Sequence, residues 1–207
     1  MNILVYGDSM SWGIIPGSRN RQPRSLRWPG VMQQLLGSEI NVIEECLNGR
    51  TTHFDDPNRP KRNGLKYVQM ILESHSPIDL IVVMLGINDF QDVIAANATE
   101  SAAGYEKLIT RLQTLKPEPM KSPAQILAIV PQDIVKPLNT MADKFSGYRR
   151  GHGAESHYIN VLKAQDVPYI RASEHITLSR LDGVHLDIPE HRLLGEEVAK
   201  RITSLMI

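Results

Sequence analysis

The chain has 207 residues, enough for one domain that buries about 70% of the surface its unfolded chain exposes. Its 23 basic and 23 acidic residues balance, without the basic excess that nucleic-acid or anionic-membrane binders carry. A single cysteine, Cys46, excludes an internal disulfide or a cysteine-rich zinc site. Since neither a signal-like segment nor a membrane-length apolar run is found, we expect a cytoplasmic protein that binds neither nucleic acid nor membranes.

Short apolar runs rich in β-branched residues alternate with longer amphipathic stretches, a pattern typical of a parallel sheet with crossover helices. Strands are predicted at 2–6, 40–44, 78–85, 125–130 and 167–170. Helices are predicted at 31–36, 64–73, 102–115, 156–164 and 189–205. The last helix is predicted to bury one face, formed by Leu193, Leu194, Val198, Ile202 and Leu205. With no repeat or compositional break, residues 1–207 are predicted to form one three-layer α/β domain.

Two long polar segments, 48–63 and 131–150, interrupt this pattern. Connections of such length are uncommon within a compact domain, and they tend to carry function or subunit contacts. Simple surface loops are the alternative interpretation.

Ligands of an open α/β sheet gather at the carboxyl ends of its strands, so the residues that follow each strand are the candidates for a site. Ser9 follows the first strand as a possible nucleophile, in a segment with neither a dinucleotide fingerprint nor a phosphate loop. Gly49 follows the second strand and Asn88 the third, and a glycine N–H and an asparagine amide are suitable donors for an oxyanion. Each also has a plain structural role open to it, as helix cap, tight bend and turn residue respectively.

A possible base precedes the last helix. A serine needs a base, and the base works best when a carboxylate orients its imidazole; Asp182 and His185 have the spacing for such a pair. A metal site formed by His185, Asp187 and His191 is an alternative, but no zinc-binding motif supports it.

Four separated blocks therefore carry the chemistry, and together they resemble the GDSL, or SGNH, hydrolase family. The nucleophile block matches at residues 7–10, with Met10 where the family often has leucine. The other blocks match at Gly49, at residues 86–89 and at residues 182–185. The resemblance covers nearly the whole chain and implies a flavodoxin-like fold with a five-stranded parallel sheet and the site at its carboxyl edge.

A narrower resemblance is to the bacterial arylesterase and acyltransferase subgroup, through residues 12–13, 27–31, 48–52, 55–57, 63–64 and 84–89. It implies a homo-oligomer that hydrolyses short-chain or aryl esters, with acyl transfer to alcohols in some members, and no metal or organic cofactor. Segment 131–150 is the hardest part to match. Ser9, Asp182 and His185 are then the expected catalytic residues, with an oxyanion hole formed by Ser9, Gly49 and Asn88.

Five residues beside these blocks are predicted to contact substrate: Asp8, Trp12, Phe54, Phe90 and Val184. Several of them have a plain core role as the alternative, and Asp8 and Asp89 fit turn or capping roles better than catalytic ones. The balanced overall charge fits small neutral esters, which need no electrostatic steering.

Three alternatives remain from the sequence. A carbohydrate deacetylase, or a thioesterase or lysophospholipase, would share the same four blocks. A non-catalytic flavodoxin-like binding module would keep the fold alone. An α/β-hydrolase is rejected, because Ser11 stands where its G-x-S-x-G motif requires glycine.

Overall fold

Five parallel strands form one sheet in the computed structural model, which describes residues 1–205. The strands are β1 (Asn2–Gly7), β2 (Asn41–Cys46), β3 (Leu80–Met84), β4 (Gln125–Val130) and β5 (Tyr169–Arg171), in the spatial order β2-β1-β3-β4-β5. The predicted five-stranded parallel α/β fold is confirmed. The last two residues of the predicted domain, 206 and 207, lie outside the described residues.

Seven α-helices accompany the sheet within residues 1–205. They are α1 (Ser9–Trp12), α2 (Trp28–Leu36), α3 (Gly64–His75), α4 (Ala98–Thr114), α5 (Thr140–Lys144), α6 (Ala154–Ala164) and α7 (Ile188–Leu205). Helix α2 packs against α7, and α4 packs against α3 and α6. None of these helices combines the length and apolar composition that crossing a bilayer requires.

The middle of the sheet forms the core because its strands are apolar on both faces, as a sheet covered by crossover helices demands. All five residues of β3 are buried, and so are residues 3–7 of β1. Helix starts are set locally: the Asn63 side chain accepts from Lys66 N at 3.0 Å to cap α3, and Asn97 forms a capping box with Glu100 at α4.

The structure corrects two sequence-based expectations. Leu193 and Leu205, predicted on the buried face of α7, are 47% and 37% exposed. The buried face instead follows the helical period through His191, Leu194, Gly195, Val198, Ala199 and Ile202, and Leu193 lies one residue off it. Segment 131–150, predicted without secondary structure, contains α5 and the first three residues of a 3₁₀ helix at Tyr148–Gly151.

Candidate active site

Strand register brings the separated sequence blocks to one edge of the sheet. Gly7 at the end of β1 is paired with Cys46 of β2 and with Met84 of β3. Ser9, Gly49 and Asn88 follow this row by only two to four residues. Residues far apart in the chain therefore meet at the carboxyl edge of the three central strands, because parallel strands end at the same side of the sheet.

Ser9, His185 and Asp182 form a continuous hydrogen-bonded chain. Ser9 Oγ lies 3.0 Å from His185 Nε2, and His185 Nδ1 lies 2.7 Å from Asp182 Oδ2. All three residues are buried, with Ser9 the most exposed at 7%. Ser9 is held at the start of α1, directly after β1, so its side chain has a fixed position at the sheet edge.

The surroundings of Asp182 favour the ionised carboxylate, which accepts hydrogen bonds. Its Oδ1 accepts from the N–H of Val184 at 3.0 Å and from that of His185 at 2.9 Å. Burial raises the pKa of this carboxyl, but the hydrogen bond and charge of His185 and these N–H donors outweigh it and lower the pKa to about 2. Because an ionised carboxylate only accepts, Nδ1 of His185 carries the proton and Nε2 is free to accept from Ser9.

The Asn88 side chain is held by three contacts. Its Nδ2 donates to Asp8 Oδ2 at 3.0 Å and to the Arg50 carbonyl at 3.2 Å, while its Oδ1 accepts from Gln91 Nε2 at 2.5 Å. These partners fix the orientation of the amide, and the two contacts of Nδ2 engage both of its N–H groups. By contrast, the backbone N–H groups of Ser9 and Gly49 have no acceptor among residues 1–205.

Asp8 contacts both the helix that begins with Ser9 and the side-chain amide of Asn88. Its Oδ1 accepts from Met10 N at 2.9 Å and caps α1, and its Oδ2 accepts from Asn88. Burial raises the pKa of Asp8 to about 6, against the opposing effects of the Met10 N–H and the charges of His185 and Arg50. The Asp8 carboxyl therefore holds Asn88 in position, although its burial disfavours the ionised form.

Asp89 anchors the loop that carries Gly49. Its carboxylate accepts from Thr52 N at 2.9 Å, from Thr52 Oγ1 at 2.7 Å and from Ser101 Oγ. Burial is the main reason that the pKa of Asp89 is raised to about 7, although its hydrogen bonds oppose the rise. The loop after β2 is thus tied to the segment that presents Asn88.

Arg50 connects the ends of β1 and β2. Its Nη1 donates to the Gly7 carbonyl at 3.0 Å and to the Glu45 carbonyl, and its guanidinium lies 4.1 Å from the centre of the Tyr6 ring. Sequence reasoning assigned no role to Arg50, Thr52, Gln91 or Ser101. The only indication in the sequence for Arg50, Thr52 and Gln91 was that they lie close to Gly49 or Asn88 along the chain. No feature of the sequence pointed to Ser101.

Segment 131–150 braces the loop that carries Asp182. Leu138 N donates to the Asp182 carbonyl at 2.8 Å, and Asn139 Nδ2 donates to the Leu181 carbonyl at 2.6 Å. Gly183 turns this loop with a φ of 73°, and a β-carbon there would overlap the Lys136 carbonyl oxygen. One function of this long segment is therefore to position the Asp182–His185 turn.

Gly183→Ala is expected to lower both stability and activity. The added methyl group meets backbone, which cannot rotate away, and the positive φ is itself unfavourable, so we expect roughly 2 kcal/mol or more lost from the free energy of unfolding. Gly153→Ala is the matched control, with a φ of 83° but nothing within 4 Å of its β-carbon. Denaturant unfolding measures both variants; equal losses would contradict the role of the Lys136 contact.

Of the five residues predicted to contact substrate, Asp8 is only 1% exposed, and the other four divide into two groups. Trp12 and Phe54 are partly exposed; the Trp12 ring lies against the Arg21 guanidinium at 4.8 Å and the Phe54 ring against His53 at 4.1 Å. Phe90 and Val184 belong to the hydrophobic core, only 3% and 1% exposed, and offer almost no surface to a ligand.

The residues of the alternative metal site have other partners. His185 is bonded to Asp182 and Ser9, and His191 is fully buried, with Nδ1 accepting from Trp28 N at 3.3 Å. Within residues 1–205, no group of three or more histidine, cysteine or acidic side chains is arranged to hold a metal ion.

Comparison with known proteins agrees with this geometry. The profile of the GDSL-like lipase/acylhydrolase family matches residues 5–190. An aryl esterase from M. smegmatis is 31% identical, with a TM-score of 0.92 and 99% of each chain covered. A carbohydrate acetylesterase from Sinorhizobium meliloti is 31% identical, with a TM-score of 0.91 and 99% of each chain covered. A lipase/acylhydrolase from Enterococcus faecalis, 17% identical with a TM-score of 0.68 over 98% and 95% of the chains, shows the shared fold.

No protein in a search of curated sequences matches this chain significantly. The family assignment rests on the profile match over most of the chain and on solved structures that are similar along its whole length. The predicted family is confirmed: the chain belongs to the GDSL-like lipase/acylhydrolase family and is a carboxylic ester hydrolase.

Proposed function

We propose that the protein hydrolyses short-chain or aryl carboxylic esters through an acyl-enzyme on Ser9. The observation that carries the proposal is the chain from Ser9 Oγ through His185 to the ionised Asp182, at 3.0 and 2.7 Å. In this arrangement Ser9 Oγ attacks the ester carbonyl carbon while His185 Nε2 takes its proton. Asp182 stabilises the imidazolium that forms.

We assign three donors to the negative oxygen of the tetrahedral intermediate. The N–H groups of Ser9 and Gly49 are free of acceptors within residues 1–205. Asn88 Nδ2 donates to Asp8 and to the Arg50 carbonyl, and it would exchange the longer bond, the one to Arg50 at 3.2 Å, for one to the oxyanion. The two free backbone N–H groups need no rearrangement as charge develops, and a preorganised donor of this kind contributes on the order of 3 kcal/mol to lowering the barrier. The contacts from Asp8 and Gln91 keep the Asn88 amide oriented for this task.

Collapse of the intermediate breaks the bond between the carbonyl carbon and the ester oxygen, and the leaving alcohol takes the proton held by His185. Water then attacks the acyl-enzyme with His185 again as base, and releases the acid and Ser9. A second alcohol in place of water would give acyl transfer, the additional activity implied by the resemblance to the acyltransferase subgroup.

Two classes of ester are supported by the solved relatives. Similarity to the aryl esterase from M. smegmatis supports aryl esters as the first candidate, and partly exposed Trp12 and Phe54 offer apolar surface for them. The carbohydrate acetylesterase from Sinorhizobium meliloti, equally similar in sequence, favours acetylated sugars as the second candidate.

A panel of substrates tests the proposal. 4-Nitrophenyl acetate, butyrate and octanoate measure the preference of the enzyme for acyl-chain length. Acetylated xylan tests carbohydrate deacetylation, and acyl-CoA tests thioesterase activity. We expect turnover to be highest with the acetyl and butyryl esters. Preference for octanoyl esters or acyl-CoA, or the absence of any turnover, would contradict the assignment.

Asp8→Asn is expected to lower kcat with little change in KM. The new side chain keeps an oxygen for Met10 N but turns an NH₂ group toward Asn88 Nδ2, so two donors face each other and the amide loses its brace. Partial loss of one oxyanion donor should reduce kcat on the order of tenfold to a hundredfold. Asp79→Asn, at the opposite edge of the sheet, is the control, and an unchanged kcat for Asp8→Asn would refute the bracing role.

We also propose a cytoplasmic homo-oligomer. The lone cysteine supports a reducing compartment, and the resemblance to the arylesterase subgroup supports assembly. Cell fractionation and light scattering test the two statements separately: a secreted protein would contradict the first, and a monomer in solution would contradict the second.

A further inference from the structure

Three loops around the candidate active site carry the cations Arg19, Arg59 and Lys144. Arg19 lies in the loop between α1 and α2, where Gly17 N approaches Asp182 Oδ2 at 3.4 Å. Lys144 ends α5, and its carbonyl accepts from Asp92 N at 3.0 Å, next to the Gln91 that holds Asn88. Different parts of the chain thus place positive charge beside the same catalytic edge.

Arg59 is the third cation, and it lies against the oxyanion region itself. Its Nη2 donates to the Asn48 carbonyl at 2.5 Å, and a β-carbon at Gly49 would collide with its guanidinium. A glycine at position 49 therefore allows the cation to lie close to a backbone N–H that is assigned to the oxyanion.

The three cations are close enough for their charges to act on one another. Burial and, to a smaller extent, the charges of Arg59 and Arg19 together lower the pKa of Lys144 to about 8, against weaker opposing effects of Asp56 and Asp8. The pKa of Arg59 is lowered by burial and by the charges of Arg62 and Arg19. A lowered pKa is expected for a buried cation when the negative charge around it is too small to offset the burial and the neighbouring positive charges.

Several cations of the protein are paired with carboxylates, whereas these three are not. Arg27 with Glu44, Arg150 with Asp92 and Arg171 with Glu155 form salt bridges. Among residues 1–205, Arg19, Arg59 and Lys144 form none.

The two nearby carboxylates already serve other groups. Asp56 is buried and accepts from Asn58 N at 2.9 Å and Arg59 N at 3.0 Å, while Asp8 is bonded to Met10 and Asn88. Neither carboxylate forms a salt bridge with the cations. The charges of Arg19, Arg59 and Lys144 are therefore not neutralised by a salt bridge to either carboxylate.

We propose that this site prefers small esters carrying an anionic group, such as a carboxylate, on the acyl or the alcohol part. The inference rests on the proposed function, since it assumes that esters react at Ser9. It differs from the expectation of neutral esters, which followed from a balanced total charge; balance over the chain does not prevent a local excess. A carboxylate near three unpaired cations gains Coulomb attraction that a neutral group of the same shape does not.

Matched substrate pairs test the preference. On the alcohol side, 4-acetoxybenzoate is compared with its methyl ester; on the acyl side, monoethyl succinate is compared with diethyl succinate per ester group. After division by the uncatalysed rates, we expect kcat/KM to favour the anion by about fivefold or more in at least one pair, and the preference to shrink with added salt. Equal values in both pairs, or a preference insensitive to salt, would overturn the inference.

Lys144 variants test whether these cations cause the preference. Lys144→Gln should lower the ratio of anionic to neutral kcat/KM, and Lys144→Arg should keep it near the wild-type value. Lys121→Gln, an exposed lysine just before β4 at the opposite edge of the sheet, is the matched control and should not change the ratio. An unchanged ratio in Lys144→Gln would contradict the inference.

Failure of the inference and failure of the proposed function give different results. If neutral esters are hydrolysed in a manner that depends on Ser9 but the anionic partners gain nothing, only the inference fails. If neither type of ester is hydrolysed, or if Ser9→Ala retains the activity, the proposed function fails.

Discussion

Ser9→Ala is expected to lower kcat for ester hydrolysis by about 10⁴-fold or more, because no other group takes the place of the nucleophile. KM should change much less, since the methylene carbon and the oxyanion donors remain. The measurement is steady-state hydrolysis of 4-nitrophenyl acetate, with labelling by a fluorophosphonate as a second readout. Labelled wild type and unlabelled Ser9→Ala are the expected pair of results.

Ser11→Ala is a close control for this variant. Ser11 lies two residues further along the same helix, is fully buried, and its Oγ has no partner among residues 1–205. Removing that hydroxyl leaves no acceptor or donor unsatisfied, so activity should stay within about twofold of wild type. If both variants lose activity alike, or if Ser9→Ala remains active, Ser9 is not the nucleophile.

Asp182→Asn is expected to reduce kcat by about 10³- to 10⁴-fold while the protein stays folded. The new NH₂ group would face His185 Nδ1 and favour the tautomer with the proton on Nε2, which cannot accept the proton of Ser9. Asp187→Asn, five residues along in sequence, is the control. Wild-type activity in Asp182→Asn would contradict the orienting role.

A stability readout separates the charge of Asp182 from its shape. The folded-state pKa of about 2 lies below the ordinary value of 3.8, so ionised Asp182 stabilises the native state above about pH 4. This contribution disappears as pH falls through about 2, where both states are protonated. The difference in unfolding free energy between wild type and Asp182→Asn should therefore shrink between pH 4 and pH 2. A difference independent of pH would show that the charge itself contributes nothing.

Much of the architecture follows from local sequence pattern. Runs such as 78–85 are apolar on both faces, which predicts a buried parallel strand, and β3 forms within that run. The sequence also predicted that the four blocks meet at one edge of the sheet, because the carboxyl ends of parallel strands lie on the same side. The ends of elements were less accurate; β2, predicted at 40–44, spans Asn41–Cys46, since backbone pairing with β1 and not apolar pattern sets where it stops.

The supporting contacts of the site could not be predicted in this way. Gln91, Ser101 and Arg50 are ordinary polar residues in sequence, and their roles arise from contacts with Asn88, Asp89 and Gly7. Such pairings depend on how loops approach one another, for which a sequence has no periodic signal. The same limit explains why segment 131–150 had no assigned role before its contacts with Leu181 and Asp182 were seen.

The balanced count of 23 basic and 23 acidic residues is a property of the sequence alone, as are the strand order along the chain and the residue types of the four blocks. Only the tertiary structure decides where the charge lies. Several arginines form salt bridges with carboxylates, but folding brings Arg19, Arg59 and Lys144 together without one, because three loops far apart in sequence converge on one sheet edge. Electrostatic attraction depends on distance, so the composition limits the total charge, whereas the fold determines the local charge that a substrate meets.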